Sequence, residues 1–82
     1  MQVKFYTRNK CHLCEKAKVI LSELKSEFDF DLEEIDIDSD DKLTEFYGIM
    51  IPVVVIDGEE VQYGQIEKDF LVKRLQKKIS FF

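Results

Sequence analysis

Eighty-two residues hold one domain, residues 1–82, and leave no room for a second. Apolar side chains make up 45% of the chain, enough for one shared core, although a domain this small buries only about 60–65% of its unfolded surface. Twelve basic against seventeen acidic side chains give a formal net charge of −5, which argues against a nucleic-acid binder held by phosphate contacts.

Val3, Phe5 and Tyr6 form a short β-prone run that predicts a first strand over residues 2–6, inside a sheet covered on both faces. After a break at Thr7 to Lys10, Cys14, Ala17, Leu21, Leu24 and Phe28 recur at steps of three and four, which predicts a helix over residues 12–27. Phe30 and Leu32 alternate with acids in one phase and Ile35 and Ile37 in the other, so a second strand is expected with a bulge or a late start near Glu33. Asp38 or Ser39 is expected to cap a short helix with Asp40 and Asp41 in its first turn, Leu43, Phe46 and Tyr47 facing inward, and Gly48 as its stop. Pro52 opens the run Val53 to Ile56, and Asp57-Gly58 is a type I′ turn signal before Val61 and Tyr63, so a hairpin follows. Gly64 separates it from a last helix over roughly 66–78 with Ile66, Phe70, Leu71, Leu75 and Ile79 as its buried stripe and Lys73, Arg74, Lys77 and Lys78 in its final turns. The order β-α-β-α-β-β-α predicts an α/β fold, a mixed four-stranded sheet flanked by three helices, its first two strands parallel and its last two antiparallel.

The longest apolar stretch, Ile49 to Ile56, is short and contains Pro52, whereas a membrane span needs about 20 residues. Residues 1–10 alternate charge with apolar side chains and carry no secretion pattern, so a soluble, cytoplasmic protein without membrane or nucleic-acid partners is expected. In that reducing compartment two cysteines are reduced, metal-bound or catalytic rather than a disulfide framework. Cys11-His12-Leu13-Cys14 places one cysteine just before the first helix and the other one turn inside it, on the apolar face. The unpaired amides and dipole of a helix start favour a thiolate at Cys11, and Arg8, Lys10 and His12 add positive potential. Cys11 is therefore the candidate nucleophile, attacking a disulfide to form a mixed disulfide that Cys14 resolves, with no bound cofactor required. The plainer alternative is a buried Cys14 acting as a small hydrophobe beside an incidental surface thiol. A zinc site would need four ligands, and the one further soft ligand, His12, lies inside the pair, so a metal is expected only across a dimer, bridged through Cys11.

Phe5-Tyr6-Thr7 before the cysteine pair, Asp36-Ile37-Asp38, Tyr47-Gly48, Ile51-Pro52-Val53, Asp57-Gly58 and Gly64 together resemble the glutaredoxin-like proteins of the thioredoxin superfamily, in the small C-x-L-C branch. The resemblance covers nearly the whole chain. It implies one glutaredoxin-like domain and a disulfide reductase that acts as an electron carrier. Its partners would be a disulfide-containing protein or glutathione, as reductant or substrate, and an NADPH-linked reductase system. It also implies that Pro52 is the superfamily's cis-proline beside the dithiol, whereas the residues alone leave a trans proline at a strand start open. By the same resemblance the backbone of Ile51 pairs with an incoming extended peptide or glutathione, and Arg8 matches the basic residue three before the first cysteine. Two departures bear on substrate choice: His12 and Leu13 stand where glutathione-using members carry Pro-Tyr, and Gly64-Gln65-Ile66-Glu67 stands for their Gly-Gly-x-Asp. Glu67 keeps an acid that could meet a substrate ammonium, or it is a solvated acid at a helix start.

His12 either tunes Cys11 or is an exposed first-turn residue. Residues 29–45 carry nine acids and one lysine while residues 1–10 hold three bases, so charge is segregated along the chain. Asp36, Asp38 and Asp40 imitate the start of a calcium loop, but Asp41 stands where its glycine is needed. Ile79, Phe81 and Phe82 are expected to fold back onto the sheet. The leading expectation is a monomeric thiol–disulfide oxidoreductase, and the alternative a non-catalytic thioredoxin-fold binding module.

Overall fold

A computed structural model of the chain describes residues 1–79, without the side chain of Ile79; the expectation that Ile79, Phe81 and Phe82 cover the sheet lies outside the described residues. The elements are β1 (Gln2–Thr7), α1 (His12–Glu27), β2 (Asp31–Asp36), a 3-10 turn (Ile37–Ser39), α2 (Asp41–Tyr47), β3 (Val53–Ile56), β4 (Glu59–Tyr63) and α3 (Lys68–Ile79). The sheet order is β2-β1-β3-β4, with β1 parallel to β2 and antiparallel to β3, and β3 antiparallel to β4. The mixed four-stranded sheet and three helices are those expected.

Alternation along β1 divides the molecule into two faces. Val3 and Phe5 point into a cluster shared with Ala17, Leu21 and Leu24 of α1, Val54 and Ile56 of β3, and Leu71 and Leu75 of α3. These side chains are almost fully buried, and each apart from the small Ala17 contributes about 1.5–3 kcal/mol relative to exposure. Tyr6 points the other way and stacks on Tyr47 of α2, ring centroids 4.3 Å apart, so α2 lies over the opposite face. That face is only partly covered: an open hollow of about 350 Å³ between α2 and the hairpin is lined by Lys4, Tyr6, Tyr47, Val55 and Glu60.

α1 spans the residues its periodicity predicts and stops because Phe28 turns extended, its N–H donating to the Leu24 carbonyl at 2.8 Å. The Asp57-Gly58 turn has φ of 49° and 85°, the two left-handed residues a type I′ turn demands.

Several expectations are corrected. β2 pairs with β1 in unbroken register from Gln2↔Asp31 to Thr7↔Asp36, so it has no bulge. Its phase change lies within the strand, where Leu32 neighbours Val3 on the shared-core face and Ile35 neighbours Tyr6 on the opposite face, so each face of an unbroken strand takes one apolar residue. The irregularity in the sheet lies instead between Val54 and Val55 against β4. Asp36 caps the 3-10 turn and Asp40, rather than Asp38 or Ser39, caps α2 by accepting from the Lys42 N–H at 2.8 Å. Phe46 is 64% exposed, because a two-turn helix turns only one narrow stripe to the sheet and Tyr47 occupies it. Gly48 ends α2 in right-handed conformation, and there a side chain would collide with the Thr44 carbonyl. Ile66 is buried but precedes α3, whose stripe is Leu71 and Leu75 with Phe70 turned partly to solvent.

Candidate functional site

Strand directions bring the candidate residues to one end of the sheet. β1 and β4 both finish there, β3 begins there, and α1 and α3 start from the loops that leave it. Arg8, Lys10 and the cysteine pair follow β1, Ile51 and Pro52 precede β3, and Gly64 and Glu67 follow β4. Residues more than fifty positions apart in sequence therefore share one rim.

Cys11 is the N-cap of α1. Its extended backbone (φ −117°, ψ 113°) turns the sulfur across the helix start, where Sγ accepts from the Cys14 N–H at 3.3 Å. A sulfur thus fills the position usually held by a Ser or Asp oxygen. Cys11 is half-buried, whereas Cys14, one turn on, is 2% exposed and belongs to the core cluster. Both are free thiols. Burial pushes the Cys14 thiol up from its ordinary range, and the neighbouring Cys11 sulfur adds to this; the Thr7 hydroxyl and the Arg8 backbone N–H pull it down. A polar cleft of about 220 Å³ reaches Cys14 from the β2 side, lined by Thr7, Asn9, Glu15 and Lys18 among others.

The Ile51–Pro52 peptide is cis, as the resemblance implies, and Pro52 is fully buried. Gly64, at φ 77°, donates its N–H to both the Pro52 carbonyl at 2.8 Å and the Met50 carbonyl at 3.0 Å, clamping that loop to the end of β4. The Ile51 N–H is already given to the Tyr47 carbonyl at 3.1 Å, so a peptide pairing with Ile51 competes for that donor.

Arg8 is engaged by Asp38: Nε lies 3.1–3.2 Å from both carboxylate oxygens and a terminal nitrogen 3.0 Å from one of them. This pair holds the guanidinium still more firmly in its charged form, with Asp36 and Cys11 acting in the same direction. Lys10 adopts φ 58° in the turn before α1 and is exposed, as are His12 and Leu13 on the first turn. Glu67 is exposed at the entry to α3, its N–H held by the Gln62 side chain at 2.8 Å. The sequence reading missed Thr7, which lines the cleft at Cys14, and Asp38, which holds Arg8. Spacing from the cysteines flags neither, since one ends a strand and the other lies thirty residues from its partner. Among the described residues no group of three or more His, Cys, Asp or Glu is arranged to hold a metal ion, and no helix is long and apolar enough to cross a membrane. A larger hollow of about 370 Å³, lined by Glu59, Arg74, Lys77 and Lys78, lies at the other end of the sheet and holds no nucleophile.

Comparison with known proteins follows the same outline. The family described as Glutaredoxin-like domain (DUF836) matches residues 2–76. An uncharacterized protein of Mycobacterium tuberculosis is 35% identical over 72 residues, covering 82% of this chain and 74% of its own. The crystal structure of a protein from X. campestris superimposes with a TM-score of 0.76 at 26% identity, over 92% of this chain and 96% of that one. A thioredoxin of Halobacterium salinarum superimposes with a TM-score of 0.74 over 99% of this chain and 76% of its own; at 22% identity it bears on the fold alone.

Proposed function

We propose that this chain, which belongs to the glutaredoxin-like family of the thioredoxin superfamily, is a thiol–disulfide oxidoreductase that reduces protein or small-molecule disulfides through a Cys11/Cys14 cycle. The observation that carries the reading is the asymmetry of the pair: an accessible sulfur receiving an amide N–H at a helix start, and a second, nearly buried sulfur one turn beneath it. The Cys11 thiolate attacks one sulfur of the substrate disulfide. That S–S bond breaks, its electron pair leaves on the far sulfur, and Cys11 is left in a mixed disulfide. Cys14 then loses its proton and attacks the Cys11 sulfur, releasing the second substrate thiolate and leaving Cys11 and Cys14 joined. Substrate gains two electrons and the protein loses them.

The supporting roles belong to the same proposal. Lys10 adds positive potential beside Cys11, His12 and Leu13 offer contacts on the exposed first turn, and Pro52 with Ile51 forms the opposing wall of the rim. Arg8, Gly64 and Glu67 are substrate-facing groups, with Arg8 available to an anionic substrate only in competition with Asp38. No bound cofactor is needed; electrons return from glutathione or from an NADPH-linked reductase acting on the oxidised monomer in the cytoplasm.

The test compares NADPH oxidation when the oxidised protein is supplied with glutathione and glutathione reductase, and separately with thioredoxin reductase. One system is expected to support turnover, Cys11→Ser to abolish it, and Cys14→Ser to accumulate mixed disulfides. Undiminished turnover in Cys11→Ser, or no turnover of the native protein with either system, overturns the reading and leaves a binding module.

A further inference from the structure

The second half of that cycle sets a problem the fold must solve. Cys14 has to shed a proton to act, yet its thiol is 2% exposed in a cluster with Phe5, Ala17, Leu71 and Leu75, none of which can accept one. One side of Cys14 is not apolar. The cleft of about 220 Å³ between the end of β1, β2 and the first turns of α1 has Cys14 in its lining and opens to solvent. It is polar and several times the roughly 30 Å³ that one water occupies in the liquid, so water fills it. Thr7, the last residue of β1, stands in the same lining, and its hydroxyl works against burial in favour of the ionised sulfur, as does the Arg8 backbone N–H.

We propose that this cleft is the proton exit for Cys14, and that Thr7 is the positioning residue that steadies the Cys14 sulfur while its proton passes to water in the cleft. The inference rests on the dithiol cycle above. As Cys14 attacks the mixed disulfide, its S–H bond breaks and the proton moves to cleft water and on to solvent. The new Cys11–Cys14 bond forms, and the electron pair of the old S–S bond departs on the substrate sulfur. The Thr7 hydroxyl donates to the Cys14 sulfur as charge builds on it, then withdraws once the disulfide is made.

The charged groups facing the cleft come from every polar element around it. Arg8 and Lys10 enter from the loop after β1, Glu15 and Lys18 from α1, and Glu34 from β2. Three of the five are already in ion pairs, Arg8 with Asp38 and Lys18 with Glu34 at 3.3 Å, so their charges largely cancel locally. Cys11 faces Cys14 from the helix start, and α3 and β3 bring only apolar side chains to the shared cluster. The Thr7 hydroxyl is a neutral donor in the same lining as Cys14, and its effect on the sulfur does not depend on those paired charges.

Thr7→Val removes the hydroxyl and keeps the shape, and Thr7→Ser keeps the hydroxyl. In a Cys11→Ser background, the ultraviolet absorbance of the Cys14 thiolate followed against pH reports the sulfur without any redox turnover. Thr7→Val is expected to move that titration up by about one pH unit, the equivalent of about tenfold, and Thr7→Ser to leave it in place. In the dithiol protein, resolution of a preformed mixed disulfide is expected to slow about tenfold at neutral pH and to recover at alkaline pH, while the attack of Cys11, timed in Cys14→Ser, keeps its rate. A titration unmoved by Thr7→Val, or equal slowing of attack and resolution, overturns the inference. Failure of the native protein to form any mixed disulfide defeats the dithiol cycle instead, and the absorbance titration still decides the role of Thr7.

Discussion

Cys11 and Cys14 are the same side chain three residues apart, and their difference is one of position on a helix. The N-cap residue sits outside the helical spiral, where its sulfur meets solvent and an unpaired amide; the residue three further on lies on the buried stripe. Limiting alkylating reagent on the reduced native protein should therefore label Cys11 before Cys14, with Cys14 labelled only on unfolding; peptide mapping that finds equal labelling contradicts the exposure difference. Burial also makes Cys14 sensitive to pH. Its thiol is raised above the ordinary value of 9.0, chiefly by burial, so the native state holds that proton more tightly than the unfolded chain. The resulting stabilisation is complete below the ordinary thiol value and is lost as pH rises through the native one. Tyr47, raised chiefly by burial and then by Tyr6 and Glu60, acts in the same direction at higher pH. Denaturant midpoints of the reduced protein should fall on going into the alkaline range, and Cys14→Ala should flatten the first part of that fall.

α1 was legible to the residue because sixteen residues give an apolar stripe four repeats to declare its period. Leu24→Ala, in the middle of the shared core, should cost about 2–5 kcal/mol in urea unfolding, while Val19→Ala on the solvent side should stay within about 0.5 kcal/mol. The hairpin was legible for a different reason: Asp57-Gly58 is one of few pairs that tolerate two left-handed residues in succession. Gly58→Ala, with open space around the new methyl but φ at 85°, should cost about 1 kcal/mol, all of it conformational. α2 was less legible. Seven residues between Asp40 and Gly48 offer no second repeat to distinguish inward from outward, so Phe46 and Tyr47 could both be assigned to the core and only Tyr47 finds a partner there. β2 misled for a different reason: Leu32 and Ile35 face opposite sides of one regular strand, and an apolar residue on each face imitates a slip of register.

Across the molecule, one apolar cluster ties α1 and α3 to β1 and β3, while Tyr6 and Tyr47 report the other face of the same strands. Because β1 carries both faces, the two sides should melt together. Far-ultraviolet circular dichroism, dominated by the helices, and near-ultraviolet signals from the stacked tyrosines should give coincident unfolding curves; an earlier tyrosine transition would mean that α2 detaches first. The residue order already specified the α/β fold, the paired strands, the helix that follows the first cysteine and the dithiol as the reactive candidate, because periodicity, turn chemistry and three-residue spacing are local properties. Which distant groups meet that dithiol depended on the chain's return path. Parallel and antiparallel pairing brought Ile51-Pro52 and Gly64 to the rim where β1 ends, set Asp38 against Arg8, and opened a polar cleft beside Cys14, since contacts between residues thirty or more positions apart exist only once strands have chosen their neighbours.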